Sequence, residues 1–217
     1  MALSPRQPGD ARRERDGLCE TALRVGPQAP TLCAGWDVRD LVVHLAVRDN
    51  RPDVALGEAL PPLRPHRDKV VSELASQPFE QLVERVRNGP HGPLRVRALD
   101  GLVNSAEFFV HHEDVLRAQP GWGPRELARG QEEALWRTAR VLGRVAYRRC
   151  PVGVVLVTPD GPRAVVRPGA DSVALTGPVA ELLLHAFGRR TRALVHLEGA
   201  PHAVDRFRAT YPGAVGE

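Results

Sequence analysis

The spacing of apolar residues changes period once along this chain, at Cys150-Pro151, and that change limits its fold more than any other feature. Before it, apolar residues recur three and four apart, the signature of helices with one buried face. After it come short valine-rich runs on either side of a Pro/Gly turn, the signature of paired strands. The chain is therefore expected to be mainly α, with an all-helical domain over 1–150 and a small α+β domain over 151–217.

The helical part is punctuated in detail. Ser4-Pro5 reads as an N-cap with proline at the first helical position. Ala11, Leu18, Ala22 and Val25 then repeat until Gly26-Pro27. Asp37 caps a second helix, with Asp40 near its positive end and Val38, Leu41, Val42, Leu45 and Ala46 as its stripe. Arg51-Pro52 ends it, because the residue before proline disfavours helical geometry. Residues 52–65 are rich in proline and read as an extended surface loop. Short helices follow around Val70–Leu74 and Phe79–Val86, broken by Asn88-Gly89-Pro90. A long helical pattern over 94–117 stops at Pro120-Gly121-Trp122-Gly123-Pro124, and a last one runs from Leu127 to Val145. In the second part, strands are expected at 152–157, 164–167, 173–175 and 194–198, and helices at 178–187 and 201–209.

Composition narrows the class of function. None of the apolar runs in the 217 residues approaches the ~20 needed to span a bilayer, and the first residues lack a signal-peptide pattern. A cytoplasmic protein with no membrane partner is expected. Three widely spaced cysteines, Cys19, Cys33 and Cys150, support neither a disulfide framework nor a thiolate zinc knuckle. The net charge of +4 comes almost wholly from arginines that alternate with acids. Nucleic acid is therefore not an expected partner. Monomer and homodimer stay open.

Polar residues set into an apolar stripe carry the functional signal, since burying them unsatisfied costs several kcal/mol. Glu107 and His111 are four apart and share one helical face with Val103 and Val110, while Asp114 lies one turn further on. His112 points some 140° away from Glu107. His44 sits between Leu41 and Leu45 on the other helix. Two ligands from one helix and one from another make a His/Glu/His set with a coordination position left over, as in catalytic zinc sites. Asp114 is placed to accept a hydrogen bond from a ligand imidazole. The competing reading is an ordinary i,i+4 pair and a satisfied structural histidine; spacing does not choose between them, nor does it identify a metal.

At these residues the chain resembles a known family. Leu32-Cys33-Ala34-Gly35-Trp36-Asp37-Val38-Arg39-Asp40-Leu41-Val42-Val43-His44-Leu45 is similar to the first motif of the mycothiol-dependent maleylpyruvate isomerases, within the DinB/YfiT-like superfamily. Asn104 to Val115, with Glu107, His111, His112 and Asp114, is similar to the second. The stretch through Arg117 and Trp122 is closest to a metal-binding subgroup with no assigned substrate. The resemblance implies a DinB-like four-helix bundle holding a divalent metal, usually zinc, at His44, Glu107 and His111. It also implies mycothiol, a low-molecular-weight thiol, as cofactor or co-substrate.

The implied enzyme isomerises a small electrophilic substrate or transfers a thiol to it; the alternative is a non-catalytic metal-binding module. A thiol at an open zinc position loses its proton near neutral pH, because the cation stabilises the thiolate. In a closed site the nearest fourth ligands are Asp114 and His112. Asp114 and an arginine of the C-terminal domain, taken as Arg189, are the candidate catalytic residues. The competing role for Arg189 is to complement a helix C-terminus. Trp36 and Arg48 are the candidate cofactor-binding residues. Their competing roles are packing at the start of the second helix for Trp36 and a solvated arginine for Arg48. Cys33 is either a structural thiol or a neighbour of the site.

Overall fold

The computed structural model describes residues 10–50, 54, 61–89, 101–159 and 161–213. By packing, the chain divides into two compact units, 1–124 and 125–217. The described part is mostly helical with a small four-stranded sheet.

The first unit holds α1 (Asp10–Val25), α2 (Val38–Asn50), a 3-10 turn (Pro61–Leu63), α3 (Arg64–Ala75), α4 (Phe79–Asn88) and α5 (Gly101–Leu116). The end of α1 and the start of α2 fall where the sequence places them. Gly26 takes a φ of +89° directly after α1, a conformation that costs glycine nothing. At the start of α2 the Asp37 carboxylate accepts from the Asp40 backbone N–H at 2.9 Å, and the Asp40 carboxylate accepts from the Asp37 N–H at 3.2 Å. This reciprocal cap fixes where the helix begins and hence which residues face inward.

The expected surface loop over 52–65 is shorter than its prolines suggest. Pro61–Leu63 forms a 3-10 turn and α3 starts at Arg64, with Pro65 at its first turn, where a missing N–H is harmless. Most of the rest of that loop, the Ser4-Pro5 cap and the segment 94–100 lie outside the described residues.

Packing runs α5 against α1, α4 against both α1 and α2, and α3 against α2. Leu18, Ala22, Leu41, Leu45, Leu82 and Phe108 are sealed at their junction. Each large apolar side chain buried this way contributes about 1.5–3 kcal/mol. Where α1 meets α5, a Cβ at Gly17 would stand 2.9 Å from the His112 ring. The close crossing of these two helices depends on glycine there.

The loop between α1 and α2 is fastened at several points. Pro30 pairs with Asp37 in an antiparallel bridge, and the Val38 N–H donates to the Ala29 carbonyl at 3.0 Å. The Leu32 N–H donates to the Asp114 carbonyl at 3.0 Å, and the Gln119 amide donates to the Pro30 carbonyl at 3.0 Å. This loop is therefore tied to the C-terminal turns of α5, which is how Cys33 and Trp36 acquire fixed places.

The second unit contains α6 (Arg129–Ala146), β1 (Gly153–Val157), β2 (Arg163–Arg167), β3 (Ser172–Thr176), α7 (Val179–Ala186), β4 (His196–Gly199) and α8 (Pro201–Thr210). Strand order is β2-β1-β3-β4. The hairpin read from the sequence is present: β1 and β2 are antiparallel. β3 lies parallel to β1, and β4 antiparallel to β3. Helix α6 packs on α7 and β2, burying Ala134, Leu135 and Ala139. The change of pattern at Cys150-Pro151 thus marks where strands begin, while packing divides the chain earlier, between Pro124 and Arg125. An amphipathic helix looks the same in sequence whether it covers other helices or a sheet.

Candidate metal centre

Helices α2 and α5 present three side chains to one another. His44 projects from α2 one turn after Leu41. Glu107 and His111 project from successive turns of α5. His44 Nε2 lies 4.0 Å from Glu107 Oε1. The rings of His44 and His111 stand 5.5 Å apart at 70°. One ligand atom from each of the three lies within 4.8 Å of the other two. That is a small side-chain adjustment from the spacing that a cation bound at about 2.0–2.2 Å requires, and imidazole/carboxylate donors suit zinc and its neighbours. The residues therefore fit a divalent cation.

The surroundings of the trio are as informative. Asp114, with a fully buried side chain, has Oδ2 3.0 Å from His111 Nδ1. The same oxygen accepts from Cys33 Sγ at 3.3 Å. An ionised carboxylate in that place makes Nδ1 the protonated nitrogen of His111 and leaves Nε2 with its lone pair. Asp114 thus occupies the place read from the sequence. Cys33 is the neighbour of the site, half-buried, rather than a thiol sealed elsewhere.

Arg48 takes a role that the sequence did not show. It binds a carboxylate, but the protein's own: Nη2 lies 2.6 Å from Glu107 Oε2. One carboxylate oxygen of Glu107 is therefore engaged by guanidinium, while the other faces His44. Burial pushes the Glu107 carboxyl above its usual range, opposed by the charges of Arg48 and His111. Behind Arg48, Asp49 lies 3.6 Å away and is itself bound by the buried Arg15. An alternation of charges thus runs inward from the site to the α1–α4 contact, where Arg15 also donates to the Val86 carbonyl at 2.6 Å.

A cavity of about 620 Å³ opens beside His44. Aliphatic side chains such as Val43, Val47 and Val71 line it, together with Trp36, Arg48 and Arg67. The Trp36 ring lies 5.1 Å from the His44 ring and is 38% exposed, so it forms a wall of the cavity rather than a buried plug.

One candidate on α5 is turned away from the trio. His112 is buried on the other side of α5, with Nδ1 3.0 Å from Glu14 Oε2 and Nε2 3.0 Å from Thr21 Oγ1. It is engaged away from the trio and does not supply a fourth ligand. Arg189 belongs to the second unit. Its Nη1 donates to the Phe187 carbonyl at 2.8 Å and its N–H to the Leu184 carbonyl at 2.9 Å. These contacts lie at the C-terminal end of α7.

The Arg48–Glu107 pair escaped sequence reasoning, although position 48, one turn after His44, was a usable signal. The Glu14–His112–Thr21 link also left a trace: two polar residues seven apart on the buried face of α1.

Comparison with known proteins points to one family. The profile of the mycothiol maleylpyruvate isomerase N-terminal domain matches residues 9–102, which include His44 and stop short of Glu107 and His111. Two solved structures share the fold. One is mycothiol-dependent maleylpyruvate isomerase, at 17% identity and a TM-score of 0.58, covering 87% of this chain and 90% of that one. The other is a histidine-to-alanine variant of mycothiol-dependent maleylpyruvate isomerase, at 17% identity and a TM-score of 0.59 with the same coverage. No curated protein matches the sequence. Among the described residues, no helix is long and apolar enough to cross a membrane. These findings agree with the resemblance read from the first motif: residues 9–102 match the profile of a mycothiol maleylpyruvate isomerase N-terminal domain, and the chain shares the fold of the isomerase structures.

Proposed function

We propose that this protein is a divalent-metal-dependent enzyme that uses a low-molecular-weight thiol, mycothiol, to isomerise a small electrophile or to transfer the thiol to it. The observation that carries this reading is the meeting of His44, Glu107 and His111, from two separate helices, beside a cavity that His44 lines. Those three residues would hold the cation, zinc by the chemistry of the donors. A cation there supplies the charge that makes a bound thiol ionise near neutral pH.

The chain's own residues have definable tasks. Asp114 accepts a hydrogen bond from His111 Nδ1–H and so aims Nε2 at the site. Glu107 contributes the single negative charge among the three donors. The aliphatic wall keeps water away from the reacting groups and strengthens every charge interaction inside. Trp36 and Arg48 border the same space and are placed to touch the thiol or the substrate. The four-helix bundle of the superfamily is the matching architecture for the first unit, with α1, α2, α4 and α5 as its helices.

Two observations support an open coordination position over a closed, purely structural site. His112 is engaged with Glu14 and Thr21, and Asp114 with His111 and Cys33. Titrating the zinc-loaded protein with mycothiol in a calorimeter tests the reading. Saturable heat and thiol-dependent turnover within a panel of small electrophiles are expected. Absence of both would leave a metal-binding module.

A further inference from the structure

We infer that Arg48 is a positioning residue that holds Glu107 to one ligand oxygen, and so preserves the vacant coordination positions that a thiol and a substrate need. The inference rests on the metal reading above and adds a device to it. The observation is the division of labour between the two oxygens of Glu107. Oε2 is 2.6 Å from the Arg48 guanidinium, whereas Oε1 is the one turned towards His44, at 4.0 Å.

A carboxylate without such a partner is free to close on a cation through both oxygens, filling a position that catalysis requires open. A guanidinium hydrogen-bonded to one oxygen blocks that closure, because its charge-assisted bond must break first. The guanidinium is itself steadied. It lies 3.6 Å from Asp49, which the buried Arg15 holds from behind, and 6.0 Å over the Phe108 ring. Arg48 also borders the cavity, so the same group that restrains Glu107 faces whatever enters.

A second consequence is electrostatic. A fixed positive charge on the ligand's other oxygen opposes the cation, so affinity is held below what His/Glu/His alone would give. The cation then remains exchangeable, and its remaining positive charge stays available to polarise a thiol.

The test uses the metal-stripped full chain. Zinc affinity is measured by competition with a chromophoric chelator, and the number of ligand atoms by X-ray absorption, for the wild type, Arg48→Met, Arg48→Gln and Arg48→Lys. Methionine keeps the packing over Phe108 without charge, and Arg48→Gln gives a second neutral variant should Arg48→Met fail to fold. The neutral variants are expected to bind zinc at least about tenfold tighter and with one more oxygen ligand than the wild type. Arg48→Lys is expected to stay within about threefold of it. Equal or weaker binding in the neutral variants, or tightening in Arg48→Lys as well, would overturn the inference while leaving the metal site intact. No zinc bound by the wild type would remove the metal site, and the inference with it.

Discussion

Two neighbouring histidines on α5 show how one residue type takes opposite tasks one position apart. His111 and His112 differ by a hundred degrees around the helix axis, and that rotation decides everything about them. His111 is backed by Asp114 and meets Glu107 and His44, the last of which lines a cavity. His112 is sealed between α5 and α1, with both ring nitrogens engaged by Glu14 and Thr21 and the ring set over Gly17. The first arrangement brings donors together without spending them on each other. The second uses every donor and acceptor inside the protein. In the reading proposed above, function and stability are carried by two different faces of one helix.

This contrast breaks most readily at the ligands. Alanine at His44 or His111 is expected to lower zinc affinity by more than about 1,000-fold, since loss of even a supporting partner costs 10–100-fold. The melting temperature of the metal-free protein should barely change. Chelator competition and thermal melts on the same samples check both halves.

His112→Ala should do the reverse. It removes both the ring that bonds the buried Glu14 carboxylate and Thr21 and the packing between α1 and α5, which costs about 3 kcal/mol of stability. Denaturant unfolding would show the loss, and zinc affinity should stay within about twofold. A variant that lost zinc without losing stability would erase the distinction between the two faces.

A third histidine extends the comparison to the second unit. His185 is fully buried, with Nδ1 2.6 Å from the Tyr147 hydroxyl. Burial, with a smaller contribution from the charge of Arg190, lowers its pKa from the ordinary 6.5 to about 4. Between these values the unfolded chain binds more protons than the folded one, so stability rises with pH across that window and levels off above it. Stability should therefore fall by about 2–3 kcal/mol on acidification from pH 6.5 to 4. In His185→Leu this part of the slope should disappear. Unfolding followed at a series of pH values provides the check.

The smallest effect is expected at Asp114→Asn. The amide can still accept from His111 but no longer carries the charge that raises its basicity. Zinc affinity should drop 10–100-fold, with the donors still in place. A loss as large as that of a ligand variant would mean that Asp114 itself touches the cation.

How much of this was legible in the sequence varied with the kind of signal. Most element types of the described residues were readable, because each apolar stripe and each Gly or Pro stop acts locally: Gly26 and the Asp37 cap each act within a few residues, whereas the 3-10 turn at Pro61–Leu63 and the start of α3 lay hidden in a run of prolines. The partner of α6 was not readable, since its stripe of Ala134, Leu135 and Ala139 fits a sheet as well as a bundle. Helical geometry made His44, Glu107 and His111 candidates by fixing the i,i+4 pair, but only the resemblance to the family, not spacing, singled them out as a ligand set. Arg48 and Cys33 could not be assigned. Their roles depend on side-chain reach across the helix pair, and on a loop fastened to α5 by Leu32 and Gln119.

The measurement that bears most directly on this account is a calorimetric titration of zinc into the metal-stripped wild type, run beside His111→Ala and His112→Ala. One site per chain is expected in the wild type and in His112→Ala, and none in His111→Ala. Binding that survives in His111→Ala, or vanishes only in His112→Ala, would contradict the assignment of the two faces of α5.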